Sequence, residues 1–93
     1  MEYETAQDII DQVRFNESLR STNSQASNHI RLYESAVKND EHKTARFLRV
    51  HLREAHHKLM YLLKVGHKKN YDNNNNMISA IKRISRIEVL LGQ

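Results

Sequence analysis

Cysteine, proline and tryptophan are absent from the 93 residues, and glycine occurs only twice, at Gly66 and Gly92. Without cysteine there is no disulfide and no thiolate metal site. Phosphate-binding loops and dinucleotide fingerprints both need clustered glycines, so they are excluded as well. Proline breaks helix interiors and glycine weakens them, so their scarcity leaves long helices unopposed. No apolar run approaches the ~18 residues of a membrane span. The acidic start Met1-Glu2-Tyr3-Glu4 is unlike a signal peptide. A cytoplasmic protein with no membrane contact is therefore expected.

What remains is 39% hydrophobic and 28% charged, enough for one modest core. The expected fold class is all-α: a single domain over residues 1–93, built as a small antiparallel bundle of four helices at about 4–20, 24–38, 41–65 and 77–91. In the first helix Ala6, Ile9, Ile10 and Val13 share one face at i, i+3, i+4, i+7, while Phe15 and Leu19 point elsewhere. Ser21-Thr22-Asn23-Ser24 is a cluster of capping residues that predicts a break. The second helix presents Ala26, His29, Ile30, Tyr33, Ala36 and Val37 on its apolar face. Asn39-Asp40 predicts the next turn, with Asp40 as N-cap of the third helix.

The third helix is expected to be long and central. Ala45, Leu48, Leu52, Ala55, Leu59 and Leu62 form its seam, and residues 59–65 are apolar nearly all round. Gly66 predicts its C-cap. Residues 66–76, with the run Asn73 to Asn76, read as a mobile loop whose last asparagine caps the fourth helix. That helix carries the stripe Met77, Ala80, Ile81, Ile84, Ile87 and Leu91.

The six histidines raise the question of a metal. Glu54 and His57 have the Glu-x-x-His spacing of ferritin-like di-metal helices, but no second such pair exists, and the inverted zinc pattern fails because Ala55 follows Glu54. No nucleophile has a base and a strained turn around it. The expectation is a non-enzymatic protein with no metal, no cofactor, no catalytic residue and no small-molecule substrate.

Charge is the clearest lead toward a partner. Residues 1–40 hold four Lys and Arg against seven acids, net −3, and residues 41–93 hold eleven against four, net +7. Arg46, Arg49, Arg53 and His57 recur at helical spacing beside the third seam. Lys68, Lys69 and Tyr71 follow, the tyrosine suited to stacking on an unpaired base, and Lys82, Arg83 and Arg86 add a second patch. Arginine forks match phosphate bidentately. These ten residues define an expected RNA- or DNA-contacting surface. The segment His57-Lys58-Leu59-Met60-Tyr61-Leu62-Leu63-Lys64 resembles a stretch of the third helix of a small-subunit ribosomal protein family that binds rRNA. The resemblance spans eight residues and implies RNA contact. That family's interhelical loop is rich in His, Asp and Ser and contacts RNA; here it shrinks to Asn39-Asp40-Glu41-His42.

The alternative is a protein-interaction module, self-associating or docking on a larger complex. Phe15 and Leu19 on the first helix, Phe47, Val50 and Tyr61 on the third and Leu90 on the fourth exceed what one small core is expected to bury.

Overall fold

The computed structural model describes residues 2–71 and 74–92, with side-chain exposure described from residue 6 onward. Three helices account for nearly all of it: α1 (Glu2–Lys38), α2 (His42–Lys68) and α3 (Asn75–Leu91). The all-α class is as expected, but the count of four helices is not. Residues 4–20 and 24–38 are one continuous helix of 37 residues, so α1, and not the helix after the turn, is the longest.

The cause is local and tertiary at once. Thr22 bonds its hydroxyl back to the Ser18 carbonyl at 2.8 Å, which a helix interior accommodates. Asn23 is buried, and its Nδ2 donates across to the Asn76 carbonyl of α3 at 3.0 Å. The Thr22 hydroxyl and the Asn23 amide nitrogen are thus bonded without a break, while Asn23 Oδ1 is buried without a partner. They lie between Leu19 and Ala26, both fully buried, so the packing seam runs straight through them.

Both long helices end on the same device. Glu41 N–H donates to the Ala36 carbonyl (2.8 Å) and Asp40 N–H to Val37 (3.2 Å), with Asp40 in the left-handed region at φ 57°. Tyr71 N–H likewise donates to Gly66 (2.8 Å) and Asn70 N–H to His67 (3.2 Å), with Asn70 at φ 61°. These are Schellman motifs in which Asp and Asn replace the usual glycine, the two residue types that tolerate that conformation best. Asp40 therefore closes α1 and does not cap α2, whose N-cap is Glu41 without a side-chain bond. The first turn of the expected loop at 66–76 belongs to α2, and the cap of α3 is Asn74, whose Oδ1 accepts from Asn76 N–H at 2.8 Å, not the last asparagine. Asp72 and Asn73 of that loop lie outside the described residues.

Gly66 is not a C-cap. It is buried within α2, where an added Cβ would lie 2.8 Å from Phe15 Cζ and 2.8 Å from Met77 Cε. It lets three helices meet at one level. Phe15 and Leu19, expected as surplus apolar residues, are core (7% and 0% exposed), as is Leu90 (4%). Leu48, Leu52, Ala55, Leu59 and Leu63 of α2 and Met77, Ala80, Ile84 and Ile87 of α3 complete the core with Ala26, Tyr33 and Ala36.

The molecule is a rod of 58 × 17 × 17 Å with a radius of gyration of 15.7 Å, against about 12 Å for a compact chain of this length. Its length is that of α1. At ~1.5 Å per residue, ten more residues than α2 make α1 about 15 Å longer. The surplus is an N-terminal arm beyond the three-helix section.

Candidate functional site

The arm carries the stripe that the sequence assigns to a core face, and it lies in the open. Ile9, Ile10 and Val13 are 57%, 44% and 50% exposed, and Ala6 is exposed too. Helical geometry gives the reason. The bundle seam of α1 is phased on Phe15, Leu19, Asn23 and Ala26, and at 100° per residue the stripe centres roughly 140° away from it. The positions that extend the seam into the arm are Asp8, Asp11 and Gln12. Asp8 and Gln12 line an open cavity with Lys68 and Lys69 at the end of α2. The arm thus turns an acidic side toward the basic end of the bundle and an apolar side away from it.

The ten expected nucleic-acid contacts divide. Three arginines bond to other groups of the protein, Arg49 and Arg83 from half-buried positions and Arg86 at the surface. Arg49, half-buried, donates from Nη2 to the Leu91 carbonyl (2.8 Å) and from Nη1 to Tyr33 Oη (3.1 Å), tying all three helices together. Arg83 donates to the carbonyls of Asn23 (3.1 Å) and Ser79 (3.4 Å). Arg86 pairs with Glu34 at 3.1 Å. Tyr71 is half-buried against Phe15, ring centroids 5.2 Å apart, so its ring serves the core more than a base. Arg46, Arg53, His57, Lys68, Lys69 and Lys82 are exposed.

Arg46, Arg53 and His57 share the outer side of α2 with the exposed Lys43, Lys58 and Lys64. Phe47, Val50 and Tyr61 are exposed there as well, at 64%, 49% and 66%. Glu54 is the one carboxylate of α2, and it faces His51 at 3.8 Å. This side is therefore both strongly basic and partly apolar. The expected interface residues Phe47, Val50 and Tyr61 are spread along this side of α2, whereas Phe15 and Leu19 are buried in the core. Ile78, Ile81 and Val89 of α3 are also about half exposed, Ile81 despite its place on the expected apolar stripe.

Histidines meet at the α1–α2 seam. The His29 and His51 rings stack at 5.0 Å and 18°, and Phe47 sets its edge on His51 at 4.6 Å. Nδ1 of His29 is buried without a hydrogen-bond partner. Thr22, Gln25, His29, His51, Glu54, Ala55 and Lys58 line an open cavity of about 340 Å³ at this point. Burial holds the His29 imidazole below the ordinary histidine range, His51 pushes the same way, and Glu54 opposes. Among the described residues no group of three or more His, Asp or Glu is arranged to hold a metal ion. Glu54 and His57 do not make one: Glu54 faces His51, and the His57 ring faces His56. No described helix is long and apolar enough to cross a membrane.

The chain matches no family model, no curated protein and no solved structure.

Proposed function

We propose that the protein is a non-catalytic helical interaction module that engages another protein, or a second copy of itself, through its N-terminal arm. One observation carries the reading. Ala6, Ile9, Ile10 and Val13 form an ordered apolar stripe on a helix whose folding does not require it, because the bundle seam is on another side. Exposed single apolar residues are ordinary, but a helical stripe aimed away from its own core is the form in which helices present themselves to grooves and partner helices. The apolar residues on the outer side of α2 extend the available contact area.

The double substitution Ile9→Ser and Val13→Ser tests this. Because both side chains are exposed and two surface changes are together worth at most about 1 kcal/mol, the melting temperature should fall by no more than about 4–8 °C. Self-association in light scattering, or protein capture from nuclease-treated extract, should be lost. If both are unchanged by the substitutions, the arm is not a contact surface.

A second reading is supported by the cations of α2. Arg46, Arg53, Lys58 and Lys64 pair with no carboxylate among the described residues, leaving their charge available to phosphates. Affinity for a short RNA and a short DNA duplex measured across salt should then fall with a log–log slope near −0.9 for each phosphate neutralised on the duplex. The slope should reflect about four contacts, one for each of these cations. No binding at about 50 mM salt rules this reading out.

A further inference from the structure

We propose that the column Phe47–His51–His29 is an acid-sensitive clasp between α1 and α2, which holds the middle of the seam closed while at most one of the two histidines carries a proton and opens it when both do. The geometry supplies each part. His29 comes from α1 and His51 from α2, so the stacked pair spans the interface itself. Parallel rings at 5.0 Å attract as neutral aromatics, but two imidazolium rings in that arrangement repel.

The surroundings favour one proton over two. Glu54 stands 3.8 Å from His51 Nδ1 and can balance a charge there. His29 has no carboxylate paired with it: α1 contributes only the neutral Thr22 and Gln25 to the cavity wall, Lys58 from α2 adds a further positive charge, and the pull of Glu54 on His29 is the smallest of the effects acting on it. The buried, unpartnered Nδ1 of His29 is poorly placed for a proton, since a donor formed there has no acceptor and no water contact. The lowered affinity of His29 for protons agrees with this arrangement.

Linkage fixes the direction. The unfolded chain protonates His29 near the ordinary pKa of about 6.5, while the folded chain resists it. The stabilisation is therefore complete above that pH. It is lost progressively as pH falls through 6.5 and on through the folded value, because the unfolded state then binds more protons.

The experiment is an NMR titration of the histidine ring signals from pH 8 to 4.5, with amide hydrogen exchange at pH 7.5 and 5.0 corrected for the intrinsic rate. His29 should titrate below the ordinary range. Protection over residues 26–33 and 48–55 should fall at least tenfold more than protection in α3. In His29→Gln, which stays neutral, that difference should shrink to within twofold. If His29→Gln does not fold, His51→Gln serves in its place, and the His29 signal should then titrate at higher pH. The inference is overturned if seam protection is the same at both pH values, if His29→Gln loses it equally, or if His51→Gln leaves the His29 titration unmoved. The arm takes no part in these readouts, so the result is independent of the proposed arm contact.

Discussion

Replacing Gly66 with leucine should cost about 3 kcal/mol of stability, the upper end of what overpacking exacts from a filled core. The site has no room even for one carbon. A Cβ there would lie 2.8 Å from Phe15 Cζ and within 2.9 Å of both Met77 Cε and Sδ. Met77 ends in a flexible thioether and can move, but the Phe15 ring is backed by Tyr71 at 5.2 Å. Alanine should be milder, for a calculable reason. It regains about 1 kcal/mol of helix propensity that glycine forgoes within α2, so its net loss should be about 1 kcal/mol. At 4–8 °C per kcal/mol for a domain of this size, the leucine variant should melt about 12 °C or more below the unsubstituted chain. A leucine variant melting within about 2 °C of it would show that the three helices do not meet closely at this level.

Arg49→Met should be the second large effect, at about 1.5–3 kcal/mol, the range for hydrogen bonds made by a charged donor. Its guanidinium reaches the Leu91 carbonyl at 2.8 Å and Tyr33 Oη at 3.1 Å from a half-buried position. The contact with Leu90 O, at 3.5 Å, adds little. The carbonyls at the end of α3 have no partner within the helix and carry the negative end of its dipole, so a fixed cation there is favourable twice over. Methionine keeps most of the packing volume and removes only the fork. Lysine keeps the charge but cannot span α1 and α3 together, and should restore less than half of the loss. Urea unfolding measures the difference, and amide exchange in the last turn of α3 locates it. Equal midpoints for Arg49→Met and the unsubstituted chain would remove Arg49 from the structural framework.

Arg49 also shows what sequence reading can and cannot resolve. Arg46, Arg49 and Arg53 look alike as members of one basic stripe. Only the packing of α2 against α3 decides that the middle one turns inward while its neighbours stay in solvent. The seams of α2 and α3 were legible because Leu48, Leu52, Leu59, Ala80, Ile84 and Ile87 repeat at helical spacing, although Ile81, on the same expected stripe, lies half exposed. In α1 two apolar stripes compete, Ala6 to Val13 and Phe15 to Tyr33, on different sides of one cylinder. Periodicity identifies both and ranks neither. The better-looking stripe, in the arm, is the one left outside. Ser21-Thr22-Asn23-Ser24 misled for a related reason. Its residue types suit a turn, and the bond that holds Asn23 within the helix, to the Asn76 carbonyl, joins residues 53 positions apart. The Schellman ends at Asp40 and Asn70 were hidden because glycine, their usual marker, is absent from both.

The continuity of α1 has one more consequence. An isolated helix of the arm's length is marginal in water, because nucleation costs more than a few turns return. In this chain the arm inherits its nucleus from the bundled part of the same helix, so it extends an existing ladder one residue at a time. Its local stability is then decoupled from the global one: substitutions at Ile9, Ile10 or Val13 leave unfolding of the bundle untouched, whereas substitutions at Phe15 or Leu19, one turn further on, strike it directly. The boundary between side chains whose loss spares the bundle and side chains whose loss strikes it falls within a single turn of one uninterrupted helix.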